Sequence, residues 1–278
     1  MRRLMCAVAI GIAVAVATGG CDEITNTIRP NPGTANPVTV ALDAAPNVTH
    51  AGIYAAAKAG YFTQTDLDVT LRPPAGGADP LDEVYDGTVD AALSTPPAVL
   101  RARNEYHALV AVAAVVQTPQ PTQVTCTHHR TGTGAHVRTT TTCRATPGVT
   151  PPAPYTGAPT YPGLVVVVTK SMIVNHAPII RRLVQAIARG YELAALNPRF
   201  AAQALVAANP ALKLGPTEQA IALSRSSFFP PDSSRPWGWL DANEWSLLGN
   251  WMTTKGIISV ANASVDVADN ELLAGQGV

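Results

Sequence analysis

The stretch VTVALDAAPNVTHAGIYAAAKAGYFTQTDLDVTLR, residues 38–72, decides the fold. Val38–Leu42 is a short β-branched and apolar run that reads as a strand. His50–Ala59 is a helix of small residues, and Asp68–Arg72 is a second strand. The alternation continues downstream. Leu81–Asp86 reads as a short helix, Ala91–Ser94 as a strand, Pro96–Arg103 as a helix and Ala108–Val116 as a strand. A βαβαβαβ order is the mark of an α/β chain built on an open parallel sheet. Ligands of such sheets lie beyond the carboxyl ends of the strands. That singles out three loops: Asp43–Thr49, Pro73–Asp79 and Ser94-Thr95-Pro96.

Asp43, Asn47, His50 and Tyr54 follow the first strand or open the next helix. A carboxylate, an amide and an imidazole there can hydrogen-bond a small polar ring. The competing reading is local: Asn47 or Thr49 caps the helix and His50 faces solvent. Trp237 and Trp239, flanked by Pro236 and Gly238, sit on a loop, where they either offer a stacking face or plug a core edge.

Upstream, Arg2 and Arg3 precede an apolar run from Leu4 to Ala17 and then Thr18-Gly19-Gly20-Cys21. This reads as an export signal ending in a lipobox, the run being shorter than the roughly 20 residues of a membrane span. Residues 1–20 are expected to be removed. Cys21 is then the lipid anchor, and residues 21–37, rich in Asn, Thr and Pro, are a flexible stalk. Of the four cysteines, Cys6 leaves with the signal and Cys21 carries lipid. Cys126 and Cys143 remain, and spacing alone leaves their pairing open.

Lys plus Arg and Asp plus Glu number 19 each, so the formal charge is zero and no basic footprint invites nucleic acid. Gly76-Gly77 lacks both the Walker lysine and the glycine spacing of a dinucleotide loop, and no Gly-x-Ser-x-Gly elbow is present. Thr122–Pro162 changes character, with 13 threonines, six prolines and three histidines. It reads as an irregular loop, which is unusual at such length inside a compact domain. Cys126, His128, His129, His136 and Cys143 can be drawn as a zinc site, but their spacing matches no common ligand pattern. Neither a metal nor a cofactor is expected.

Leu164–Thr169 reads as a strand, and a helix from about Ala177 to Leu196 has Asn175 as its cap and Pro178 in its first turn. Ile179, Leu183, Ala186, Ile187 and Tyr191 form its apolar face. Further helices are read over Arg199–Ala208, from Thr217-Glu218, and from the capping-box-like Asp241–Glu244 through Met252 to a stop at Gly256.

Several blocks resemble the solute-binding proteins of bacterial ABC importers that take thiamine pyrimidine precursors, relatives of the sulfonate, taurine and nitrate binding proteins. They are Val40–Asn47, His50–Phe62, Leu67–Val69, Gly87–Ser94, Val110–Gln117, Gly157–Tyr161, Arg181–Glu192, Trp237–Asp241 and Asn270–Leu273. The resemblance implies a type II periplasmic-binding-protein-like α/β fold with a ligand in the cleft between two lobes. Residues 38–117 belong to the first lobe, 118–175 to a truncated second lobe, and 176–278 to a helical part returning to the first. The expected ligand-binding set is Asp43, Asn47, His50, Tyr54, Ser94, Glu192 and Trp237. Partners would be a small-molecule ligand, an ABC permease and, through the anchor, the membrane; the protein would act as a monomer outside the cytoplasmic membrane.

Two departures from that family bear on binding. Ala44 stands where members carry Trp or Phe, removing a stacking surface. Between Gln117 and Gly157 the family places most of a second lobe, on the order of 100 residues, whereas here a threonine-rich stretch stands, with Thr146–Val149 a faint echo of that lobe's first strand. Other readings are a sulfonate, taurine or nitrate binder, a surface lipoprotein that binds nothing, and an enzyme. The last follows from eukaryotic relatives that build the pyrimidine from a protein histidine and pyridoxal phosphate, with His50 in the donor's place; the export signal argues against it.

Overall fold

The computed structural model describes residues 35–106, 108–118, 124–131, 138–145, 155–259 and 264–275. The expected export signal, the expected anchor Cys21, most of the expected stalk, His136 and Thr146–Val149 lie outside the described residues. Five strands form the main sheet: β1 Asn36–Ala41, β2 Leu67–Arg72, β3 Ala91–Ser94, β4 Leu109–Val116 and β7 Leu164–Thr169, in the order β2-β1-β3-β7-β4. Two more strands, β5 Val124–Thr131 and β6 Arg138–Ala145, pair with each other and, among the described residues, with no other strand.

β1 runs parallel to β2 and β3, with Val38 opposite Val69 and Val40 opposite Ala91. The sheet is nevertheless mixed, not all-parallel as expected from the alternation. β7 is antiparallel to both neighbours, with Leu93 opposite Val166 and Val110 opposite Val168. The chain leaves β4 at Val116 and re-enters beside it, Leu164 facing Val116 and Gly163 N–H donating to the Val116 carbonyl at 2.7 Å. A strand that enters at the end where its neighbour stopped must run the other way.

Alternate residues of each strand feed two helical layers. Val38, Val40, Leu93, Val166 and Val168 pack beneath α1 (Ala51–Lys58), α5 (Lys170–Leu196) and α6 (Pro198–Ala208). Ala41, Ala92, Val165 and Val167 pack with Leu81 of α3 (Pro80–Tyr85), Leu100 of α4 (Pro96–Tyr106) and Leu248 of α8 (Ala242–Thr254). The remaining helices are α2 (Tyr61–Gln64) and α7 (Leu214–Leu223).

The structure departs from expectation in three further places. α5 starts at Lys170, where Thr169 Oγ1 accepts the Met172 N–H; Asn175 is no cap but donates to Ser171 Oγ. The helix breaks at His176 (φ −136°, ψ 25°), just before Pro178, whose ring disfavours a regular preceding turn. α7 opens at Leu214, before the Thr217-Glu218 start that was expected. The threonine-rich stretch is not wholly irregular: β5 and β6 form a hairpin, consistent with the β-propensity of threonine.

A segment near Val267–Asp269 pairs with β4. Ala111 donates to the Val267 carbonyl and accepts from Asp269 N–H. The buried Arg103 donates to the carbonyls of Leu109 and Val265, and burial lowers its pKa below the usual guanidinium range.

Candidate binding site

Asn47 opens the turn that carries His50 into the protein. Its Oδ1 accepts from Thr49 N–H at 2.9 Å and Thr49 Oγ1 at 2.7 Å, and its Nδ2 donates to the Ala45 carbonyl. In return, Asn47 N–H donates to His50 Nδ1 at 3.2 Å, completing a reciprocal capping box. A backbone N–H can only donate, so Nδ1 is the acceptor nitrogen and Nε2 carries the proton. His50 Nε2 then donates to Asp43 Oδ1 at 2.7 Å.

The local reading of this loop holds for Asn47 as the cap and fails for His50, which does not face solvent. Asn47 spends its amide on capping, while His50 is fully buried and braces Asp43. The Asp43 side chain keeps 29% of its surface exposed, and its Oδ2 accepts no hydrogen bond from a described residue. β1 pairs with β3 up to Ala41 opposite Ala92, so the Asp43 loop and Ser94, which ends β3 and is 6% exposed, leave the sheet at the same end. Tyr54, one turn beyond His50, is half-buried against the α1 side of the core, and burial raises its hydroxyl pKa.

The far wall of the cluster is aromatic. Tyr191 on α5 donates from its hydroxyl to the Thr49 carbonyl at 2.5 Å. Its ring stacks on Trp237 (centroids 5.3 Å apart, planes at 28°) and meets Phe228 edge-on at 5.1 Å. Burial, and secondarily the Asp43 carboxylate, push the Tyr191 hydroxyl far above its ordinary range. Trp237 is 9% exposed, and its Nε1–H finds no acceptor among the described residues; Trp245, in the opposite helical layer, is in the same position.

Glycines set this geometry. A Cβ on Gly52 would stand 2.2 Å from the Tyr191 ring, and one on Gly190 would stand 2.1 Å from the Gly52 carbonyl oxygen. α1 and α5 thus cross at near-backbone contact, which lays Tyr191 over the start of α1. Gly238, at φ 86°, leaves no room for a Cβ beside Leu273 and Ala113, and its carbonyl accepts Ala114 N–H at 2.8 Å. This fixes Trp237 to the edge of β4.

Of the expected ligand set, the structure gathers Asp43, Asn47, His50 and Trp237 around Thr49 and Tyr191, with Ser94 at the same sheet edge. Glu192 is exposed; Tyr191, the preceding residue, holds the inward position. In the sequence Tyr191 reads as core, because it lies on the apolar face of its helix, and nothing in its spacing marks a role at the site. Separately, a hollow of about 380 Å³ lined by Val84, Asp86, Asp90, Thr169 and Ser171 lies at the other end of the strands, where β3 begins and β7 ends. Among the described residues no group of three or more His, Cys, Asp or Glu is placed to hold a metal.

The model of the NMT1/THI5-like family matches residues 47–132 and 145–201, more than half of the chain. The chain belongs to the NMT1/THI5-like family. The match takes in Asn47, His50, Gly52 and Tyr191, the capping, bracing and crossing residues of the site. A formylaminopyrimidine-binding protein of Halalkalibacterium halodurans is 39% identical over 82 residues, 30% of this chain and 25% of that relative, so the match spans about a quarter of the relative's length.

Among solved structures, a Candida albicans protein described as having the generic periplasmic binding protein fold aligns with a TM-score of 0.56 at 10% identity. The alignment covers 84% of this chain and 96% of that one. The alkanesulfonate-binding protein SsuA of Xanthomonas axonopodis pv. citri, bound to MOPS, aligns with a TM-score of 0.56 at 11% identity, covering 84% and 98%. The family member described here therefore has the type II periplasmic-binding-protein-like fold. Among the described residues the stretch between β4 and β7 holds one pair of strands, β5 and β6. No helix among them is long and apolar enough to cross a membrane.

Proposed function

We propose that this chain is the extracytoplasmic solute-binding component of an ABC importer and that it captures a thiamine pyrimidine precursor or a similar small amino-bearing ring. The observation that carries this reading is Asp43: a carboxylate held by a buried histidine, with its second oxygen accepting no hydrogen bond among the described residues, at the carboxyl edge of β1 and β3 beside an aromatic wall. Such a carboxylate accepts from a ring amine or N–H, and charge-assisted hydrogen bonds of this kind confer specificity. The formylaminopyrimidine-binding relative supports the ligand class.

In this reading residues 1–20 are the signal, Cys21 carries the lipid anchor and residues 21–37 form the stalk. Residues 38–117 and 176–278 build the first lobe, and 118–175 are the shortened second lobe. The protein works as a monomer, passes its ligand to a permease and performs no chemistry on it. The sulfonate, taurine and nitrate alternative meets a physical objection, since an anion beside Asp43 is repelled.

Thermal unfolding with formylaminopyrimidine, hydroxymethylpyrimidine, taurine and nitrate tests the proposal. A ligand at about 100 times its Kd raises the midpoint by about 5–10 °C. Asp43→Asn keeps an acceptor for His50 but weakens a pyrimidine ligand by about 10–100-fold. A midpoint unmoved by all four compounds refutes binding and leaves the non-binding lipoprotein reading. A shift with taurine or nitrate alone transfers the protein to the anion binders.

A further inference from the structure

We infer that Cys126 and Cys143 form a disulfide that staples the β5–β6 hairpin. The two residues are direct register partners in the antiparallel pair, with Thr125 opposite Arg144 and Thr127 opposite Thr142 on either side. Directly opposed residues share one face of the hairpin. Their Cα atoms are about 4.5 Å apart in a non-hydrogen-bonded pair and about 5.5 Å in a hydrogen-bonded one. Both separations fall within the roughly 4.4–6.8 Å that a disulfide spans. A slip of one residue along either strand would put the two cysteines on opposite faces, so their alignment ties the register to the bond.

The hairpin has a physical need for such a bond. β5 reads VTCTHHRT and β6 reads RTTTTCRA, and neither carries the alternating apolar residues that bury one face of a sheet. An isolated two-stranded ribbon is marginal in water. Among the described residues this one joins no larger sheet and packs beside α7. Closing the loop of residues 127–142 by a covalent link removes unfolded-state entropy that the side chains offset poorly.

The bond forms by exchange with a disulfide-bearing oxidant of the extracytoplasmic compartment. One cysteine thiolate attacks the oxidant's disulfide to give a mixed disulfide, and the other thiolate displaces the oxidant. The chain loses two protons and two electrons, and the oxidant leaves as its dithiol. The inference rests on the proposed function only for the compartment that supplies this oxidant.

Peptide mapping of the full chain, equilibrated with oxidised glutathione and alkylated under denaturing conditions without reductant, tests it. The peptides bearing Cys126 and Cys143 are expected linked, lighter by two hydrogens than their sum. Reduction is expected to lower the unfolding midpoint by about 5 °C. Cys126→Ser, Cys143→Ser and the double variant should each match the reduced wild-type midpoint and be insensitive to reductant. Recovery of both cysteines alkylated, or linked to Cys6 or Cys21 instead, overturns the inference. So does zinc retained stoichiometrically by the two thiols in the isolated protein. None of these readouts involves the small-molecule ligand, so failure of the pyrimidine titration leaves them intact.

Discussion

Tyr191 shows how one side chain links packing to the proposed site. Its hydroxyl donates to the Thr49 carbonyl, so it holds the turn that delivers His50, while its ring backs Trp237. The hydroxyl is wholly buried near the Asp43 carboxylate, both of which oppose ionisation. The unfolded chain releases this proton near the ordinary value of 10.0, whereas the native chain retains it to higher pH. Above pH 10 the native state therefore binds more protons than the unfolded one, and stability falls as pH rises, by about 1.4 kcal/mol per pH unit for this one group. Tyr191→Phe is expected to cost about 1 kcal/mol at neutral pH through the lost hydrogen bond. It should also flatten the alkaline decline by one proton's worth, leaving the smaller contributions of Tyr54 and Tyr161, whose pKa values burial also raises. Urea unfolding from pH 8 to 11 measures both effects; an unchanged slope would place the proton elsewhere.

At the level of elements, the contact between α1 and α5 matters most, because two glycines set it. Gly52→Ala drives a methyl into the Tyr191 ring, and Gly190→Ala drives one into the α1 backbone. Each is expected to destabilise the protein by about 2–3 kcal/mol, in the range of core overpacking. Gly52→Ala should in addition change the fluorescence of the tryptophans, since it displaces Tyr191 from Trp237. Denaturant titration followed by circular dichroism and by fluorescence separates the two effects. These elements also show what a single sequence discloses. β3 and β7 were legible residue for residue, because short β-branched or apolar runs bounded by turn residues have one reading. The antiparallel insertion of β7 was not, because periodicity describes a strand and not its partner. The Asp43–Thr49 loop was found from its place after a strand, yet the division of work within it depends on distances that spacing does not encode. The site roles of Tyr191 and Gly52 are not legible in the sequence, because a helix-face aromatic and a helical glycine look like ordinary packing. The β5–β6 hairpin was hidden by its lack of an apolar face.

Across the whole molecule, a segment around Val265–Asn270 completes the sheet edge made by mid-chain residues. β4 sits at the edge of the sheet, where its outer backbone groups would be unpaired. The C-terminal segment covers that edge through the Ala111–Ala268 bridge and is held by Arg103 and Asn270. Asn270 grips Leu240 from both sides, its Oδ1 accepting the Leu240 N–H and its Nδ2 donating to the Leu240 carbonyl, each at 2.9 Å. Leu240 follows the Trp237–Trp239 loop, so the clamp fixes the aromatic wall of the site to the far end of the chain. Asn270→Ala leaves both backbone groups of a buried residue without their partner and is expected to cost about 2–3 kcal/mol. Because the loop it frees carries Trp237, the same substitution should weaken the stabilising ligand of the thermal assay while Asp43 and His50 remain intact. Asn270→Asp retains the acceptor but loses the donor, so it should fall between wild type and Asn270→Ala in midpoint. Equal midpoints for all three proteins would show that the C-terminal segment covers β4 without bracing the site.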